Sequence, residues 1–399
     1  AVEGLGGYIR NKTNFNTLSA TLNYELPFLK GMSVYLRATV DNNNSINTTF
    51  SSPETLYLYD SETGEISEDP LTTYPTAKIS LSQRDQFVDN KLFEGGINYT
   101  NTFNERHDFS AMLVANYQDY RNRYMTGTNN DMAGKYPEVI GTATDSKLVG
   151  NEYFYQRASL IGRFTYGFDD RYFAEFNFGY NGSENFTPKN RYGFFPSVGL
   201  GWVISNESFF EPLTNVIQYL KVRGTWGQVG NSQISGRRFA YLATVTDSSS
   251  TSYTFGKNMD QNYGTTAIDE YAVDVTWEVA DKTDIGVDMR LLNNKLNLQF
   301  DYFKESREGI YLRRSSIPSY VGMINNPYGN IGKVENKGFE LSVNYANSWG
   351  GDWSLSLMGN YSFNRNKVLE DDSTVVYPWQ NTIGNKVGQR FGLVALGLF

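Results

Sequence analysis

Cysteine is absent from the 399-residue chain, so no disulfide framework and no thiolate metal site can exist. Histidine occurs once, at His107. Without a second His or any Cys a typical zinc site cannot be anchored, and no Ser-His-Asp arrangement is readable because the sole His has no evident partner. There is no run of Lys or Arg, and the net charge is −8. Neutralising phosphate needs clustered basic residues, so nucleic acid is excluded as a partner. No segment approaches about 18 consecutive apolar residues, which excludes a bundle of membrane-crossing helices. That exclusion leaves β-barrels untouched, because they hide their hydropathy in alternation. The opening AVEGLGGYIR has no basic-then-apolar leader, and a mature or clipped product is expected. Proline is sparse, at 11 residues, whereas Tyr (29) and Phe (26) are abundant.

What is present is a two-residue period. Ala158, Leu160, Gly162, Phe164 and Tyr166 fall on one parity, with Ser159, Arg163 and Thr165 on the other. After Asp169-Asp170 the pattern resumes with Tyr172, Ala174, Phe176, Phe178 and Tyr180 facing away from Glu175, Asn177 and Asn181. Such alternation marks strands whose two faces meet different media. It recurs along the chain, and about twelve strands are expected, joined alternately by short and long connections. The long ones are placed near 42–90, 121–152, 182–192, 231–272, 305–330 and 366–390.

A soluble sandwich would scatter its long loops, and a propeller would repeat at a period of about 40 residues. Strict short–long alternation instead matches an all-β, antiparallel outer-membrane barrel with short periplasmic turns and long extracellular loops. Phe164, Tyr166, Phe168, Tyr172 and Phe173 gather beside one short turn, where amphipathic rings suit a membrane interface. Parity also fixes register. The Asn293-Asn294 turn should set Leu291 opposite Leu296 and Val287 opposite Phe300. The Asp169 turn should hold an odd number of residues and bring Arg163 opposite or diagonal to Glu175.

Several blocks carry a family likeness. RASLIGRFTYGFDDRYFAEFNFGYNGSENF followed by RYGFFPSVGLGWVISNESFF, then LKVRGTWGQVGNSQI, WEVADKTDIGVDMRLLNNKLNLQFDYFKESREGIY and NIGKVENKGFELSVNY resemble, in order and spacing, the SusC/RagA-type TonB-dependent transporters of Bacteroidota. The resemblance implies a plugged barrel of about 22 strands, of which about half are here. It implies partnership with the TonB complex and a SusD-like lipoprotein, residence in outer-membrane lipid, and import of a nutrient oligomer, glycan first and oligopeptide second. No plug-domain text is found, and GNKVGQRFGLVALGLF resembles an internal segment of that family, so a partial barrel is expected. The rival readings are a passive porin or adhesin-like barrel complete at about twelve strands, and a secreted carbohydrate-binding β protein.

No cofactor is expected, nor an enzyme. His107 in NERHD is read as a solvated turn residue. Asp371-Asp372 and Asp269-Glu270 are read as loop charge, since no loop has the ligand order of an EF-hand. Gly224, Gly227 and Gly230 do not form a phosphate-binding pattern and are assigned to strand curvature. The candidate ligand-binding residues are loop aromatics, Tyr124, Tyr136, Tyr320, Tyr377 and Trp379, whose flat rings can stack on sugar faces.

Overall fold

The computed structural model describes residues 7–52, 57–70, 78–132, 145–234, 238–257, 259, 261–392 and 397. The strands are β1 (Gly7–Glu25), β2 (Met32–Ser51), β3 (Tyr57–Tyr59), β4 (Ile66–Pro70), β5 (Ser80–Phe103), β6 (His107–Asn130), β7 (Asp145–Phe168) and β8 (Tyr172–Ser183). They continue with β9 (Tyr192–Val203), β10 (Ile217–Asn231), β11 (Thr244–Phe255), β12 (Gln261–Glu270), β13 (Glu278–Leu291), β14 (Leu296–Arg313), β15 (Tyr328–Trp349) and β16 (Trp353–Glu370). Twelve form one sheet in the order β1-β2-β5-β6-β7-β8-β9-β10-β13-β14-β15-β16, while β3-β4 and β11-β12 are separate hairpins. The alternation of apolar and polar residues thus yields the expected all-β, antiparallel architecture.

The short turns follow from residue types that tolerate left-handed backbone. Asn104 and Glu105 close β5–β6, Asp169 and Asp170 close β7–β8, and Leu292, Asn293 and Asn294 lie in the β13–β14 turn, all at φ between 49° and 63°. Asn and Asp bear that conformation best because their short polar chains bond locally. Register is as parity demands: Leu291 faces Leu296 and Val287 faces Phe300. Phe168 faces Tyr172 across a loop of odd length.

Four of the short turns also bond to the strand or turn beside them. The backbone N–H of Thr100 donates to Gly31 (2.9 Å), Asp169 to Arg106 (2.8 Å), Val203 to Arg171 (2.8 Å), Leu292 to Val216 (3.2 Å) and Ala346 to Lys295 (2.8 Å). One connection at this end is longer. Between β9 and β10 run two 3-10 turns, Ile204–Asn206 and Ser208–Leu213.

Strands extend beyond the alternating text. The loop expected at 42–90 narrows, because β2 continues to Ser51 and β5 begins at Ser80. Likewise β6 reaches Asn130, β7 begins at Asp145, and β14 and β16 reach Arg313 and Glu370. Alternation is demanded only where one face meets an apolar medium. Where both faces meet water, Asn, Thr and Tyr build the same backbone ladder.

Two compact units divide the chain: Ala1–Leu22, Leu36–Glu94 and Asn116–Gln156 form one, and Asn23–Tyr35, Gly95–Ala115 and Arg157–Phe399 the other. The first is fastened by polar cross-strand contacts. Thr17 donates to Asp41 (2.8 Å), Gln118 to Asn90 (2.8 Å), and Ser146 to the fully buried Asn129 (3.0 Å). Tyr120 and Tyr155 stack at 4.7 Å.

The second unit holds the hydrophobic core, which lies at the long-connection end of the sheet. Phe186, Ile234, Ala240, Val275 and Tyr311 are buried together, with Val273, Trp277 and Tyr328 packed around them. Three connections expected as loops are therefore bound into one body. Asp274 accepts from Thr187 (3.2 Å) and Asn190 (2.9 Å), and Asn330 donates to the carbonyls of Thr276 (2.9 Å) and Gly309 (2.7 Å).

Close packing gives a second reason for two of the three glycines assigned to curvature. A Cβ at Gly230 would fall inside the Phe195 ring, and one at Gly227 would strike Ser197. Gly230 is bare so that Phe195 can lie flat and meet Trp277 edge-on at 5.1 Å, and Gly227 so that β9 can approach at Ser197. At Gly224 a Cβ would meet only the Asp284 carbonyl oxygen, at 4.0 Å.

Candidate functional site

The sheet in the second unit presents two unlike faces. Along one, Trp202, Val222, Val287, Phe300 and Leu341 follow one another from β9 to β15. On the other, Arg223 stands in a row with Gly286, Asp301 and Glu340. Its guanidinium reaches Asp284 at 3.0 Å and Asp288 at 3.3 Å and also pairs with Asp301. Arg163 lies diagonal to Glu175, whose direct partner is Thr165. Two nitrogens of Arg163 donate to the two carboxylate oxygens, at 3.1 and 3.2 Å.

The polar face also carries a recess of about 490 Å³ that includes Thr165, Phe173, Glu175, Gly199, Gly201 and Lys221. Its floor is β9 backbone, since Gly199 and Gly201 put no side chain on that parity. The Lys221 ammonium sits 5.2 Å from the centre of the Phe173 ring, a cation–π contact. SVGLGW held the signal for this hollow: two glycines, two residues apart, on the polar side of a strand.

The loop aromatics fare differently from one another. Tyr377 and Trp379 stack face to face, 4.6 Å between centroids and 5° between planes. They flank Pro378 at the start of a 3-10 turn, Pro378–Gln380. Both rings remain half exposed or more, at 50% and 61%. The loop beneath them is tied down: Thr382 donates to Asp371 at 2.7 Å, the Gly384 N–H to the Val368 carbonyl at 2.8 Å, and the Val387 N–H to Asn366 at 2.8 Å.

Tyr320 stands 88% exposed on the 3-10 turn Ser319–Val321, which ends at the left-handed Gly322. Its loop is held at the base, where Ser316 donates to Asp372 through both backbone (3.3 Å) and hydroxyl (2.9 Å), and Asn325 donates to Asp269 at 2.7 Å. Asp372 therefore fastens the Tyr320 loop to the loop of Tyr377 and Trp379. The acidic pairs read as loop charge thus include two members, Asp269 and Asp372, that act as ties between loops.

Tyr124 is not a loop residue; it lies within β6, and the Arg84 guanidinium covers its ring at 3.9 Å. That ring face has no room for a sugar. Tyr136 lies outside the described residues. His107 is likewise not a free turn histidine. It opens β6, its Nδ1 is 2.8 Å from the Tyr166 hydroxyl, and its ring packs 4.9 Å from Phe168. Among the described residues no group of three or more His, Cys, Asp or Glu is placed to hold a metal ion.

Comparison with known proteins gives the family. The profile described as "TonB dependent receptor-like, beta-barrel" matches residues 3–394. The chain belongs to the TonB-dependent receptor β-barrel family. The family comprises receptors and transporters of the outer membrane, not enzymes. The expected likeness to the SusC/RagA type is also met. The TonB-dependent receptor SusC of Bacteroides thetaiotaomicron is 31% identical over 277 residues, 67% of this chain and 26% of that protein. TonB-dependent receptor P3 of Formosa agariphila is 30% identical over 285 residues, 70% of this chain and 27% of that protein.

Among solved structures, the RagAB peptide importer in its closed-closed state is similar at a TM-score of 0.72 and 20% identity, over 94% of this chain and 39% of that chain. At that identity the likeness shows the fold. This TonB-dependent barrel segment spans about a quarter of the length of the curated relatives it matches.

Proposed function

We propose that the chain supplies wall and loops of a transporter in a Gram-negative outer membrane, one that imports a nutrient oligomer using energy delivered through TonB. A SusD-like lipoprotein presents the cargo over the loops, and no chemical step occurs. Glycan is the first cargo assigned and oligopeptide the second.

The observation that carries the cargo assignment is the Tyr377–Trp379 pair. Two rings held parallel, exposed, and mounted on a loop fastened through Asp371 and Asp372 offer a flat apolar surface with polar edges. Sugar rings present the complementary C–H faces, and a preorganised platform binds without the cost of ordering a mobile loop. The fold position supports the rest: loops of such barrels lie outside the cell, where cargo is met.

The test is uptake of labelled oligosaccharide by cells carrying the full-length gene, with and without TonB, and with the loop around Tyr377 and Trp379 shortened. Uptake should vanish without TonB and weaken in affinity without the loop, while the barrel stays assembled. Uptake indifferent to TonB would replace this reading by a passive porin. Labelled oligopeptide taken up in preference to oligosaccharide would reverse the cargo order.

A further inference from the structure

The connection between β9 and β10 is the exception among the turns at its end of the sheet. Its neighbours are tight, and the β13–β14 turn exposes one apolar side chain, Leu292 (52%), whereas SNESFFEPLTNV leaves three, Phe209 at 65%, Leu213 at 52% and Val216 at 58%. The segment is not loose. Asn206 donates to the Asp170 carbonyl at 2.8 Å, Thr214 to the Glu211 carbonyl at 2.7 Å, and Gln218 to the carbonyls of Thr214 and Asn215, both at 3.1 Å. Phe210 is buried beneath it. A fastened segment that holds three large apolar side chains outward needs something to cover them.

The contacts show which side they belong to. Trp202 lies on the apolar parity of β9 and faces Tyr172, with the two rings parallel at 6.3 Å. Phe209 meets that same Trp202 ring edge-on at 6.4 Å. Phe209 therefore joins the connection to the apolar face of the sheet. The polar tips of these rings converge on one carboxylate: the Tyr172 hydroxyl donates to Glu207 at 2.6 Å and the Trp202 indole N–H at 3.1 Å. Arg171 reaches Glu207 at 3.4 Å and Asp169 at 3.3 Å. From strand to turn the order is aliphatic, aromatic, charged. Hydrocarbon, interface and headgroup occur in that order in a bilayer leaflet.

We infer that residues 204–216 are an interfacial anchor whose Phe209, Leu213 and Val216 insert at the headgroup–acyl boundary of the leaflet at the short-turn end, the periplasmic one. The inference rests on the outer-membrane reading above and adds a lipid contact made by a connection rather than by a strand. A short amphipathic element of this kind lies in the plane of the membrane and is held by its buried apolar area. The occupant is phospholipid, because the surface to be covered prolongs the face that meets hydrocarbon.

The experiment uses the full-length protein in phosphatidylethanolamine vesicles, with any other cysteine replaced. Nitroxide labels are placed by Phe209→Cys or Leu213→Cys, and collision with oxygen is compared with collision with a water-soluble nickel chelate. Leu200→Cys, on the apolar face within β9, marks hydrocarbon, and Glu105→Cys, in a short turn, marks water. Labels at 209 and 213 should lose nickel collisions relative to 105 and favour oxygen, at a depth shallower than 200. Should Phe209→Cys fail to assemble, Leu213→Cys carries the same measurement. A shielded 200 with 209 and 213 as open to nickel as 105 would overturn the anchor and leave the barrel standing. Free nickel access at 200 would overturn both.

Discussion

Arg163 and Glu175 pair diagonally across the β7–β8 hairpin, two nitrogens to two oxygens, on the polar face of the sheet. Both remain partly open to solvent, so screening limits what the pair is worth. Arg163→Ala should cost about 0–1 kcal/mol. Ala174→Arg, one residue from Glu175 but on the apolar face, should cost about 2–4 kcal/mol near the membrane midplane. Reversible folding of the full-length barrel in lipid measures both; equal costs would mean that the faces are reversed.

Gly230 and Phe195 occupy one space between them. Gly230→Ala should cost about 1–3 kcal/mol through overpacking against the ring. Phe195→Ala alone should cost about 3–5 kcal/mol. The double variant should cost clearly less than the sum, since removing the ring makes room for the methyl. Additive losses in the same folding assay would break the argued coupling.

Phe186 is fully buried where three connections meet. Phe186→Ala should cost about 3–5 kcal/mol of that local core, without disturbing the ladders from β7 to β10. Limited proteolysis should then cut within 184–191 or 232–277, while hydrogen exchange in the strands is unchanged. Faster exchange throughout the strands would show that the cap and the wall fold as one.

The Tyr172 hydroxyl, first, and the Trp202 indole hold the Glu207 carboxyl below its ordinary value, against the opposing pull of burial. Asp169 is shifted the same way, chiefly by the Arg106 guanidinium. A carboxyl lowered by folding stabilises above its unfolded pKa, about 4.3 for Glu, and that contribution disappears as pH falls through the lower folded value. Stability should therefore drop on acidification below about 4, and Glu207→Gln should flatten part of that drop. Denaturant unfolding of the full-length protein across that pH range follows it; a profile unchanged by Glu207→Gln would remove Glu207 from the account.

The wall was legible in the sequence because lipid and water enforce a period of two, so Leu291 against Leu296 could be placed from parity alone. Turn residues at Asp169 and Asn293 gave loop lengths for the same reason. The upper structure was not legible. Phe186, Ile234, Val275 and Tyr311 are scattered through polar text with no period, and only long-range packing makes them a core. Tyr124 showed the same limit from the other side: its type suggested a binding ring, but its cover, Arg84, lies 40 positions earlier in the chain. Tyr377 and Trp379 were readable as aromatic and exposed, whereas their parallel stacking depends on Pro378 and on Asp371 beneath.

The hydrogen bonds that tie these turns to the strand or turn beside them, Thr100 to Gly31, Asp169 to Arg106, Val203 to Arg171, Leu292 to Val216 and Ala346 to Lys295, act as a stitched hem. A two-residue slip of one hairpin past the next keeps every side chain on its own face, so parity alone does not forbid it. Here any such slip must tear a stitch at the border before it gains a rung in the field. Load applied to one hairpin is thereby shared with the next, so this end of the wall resists shear as a fabric does, through its selvedge.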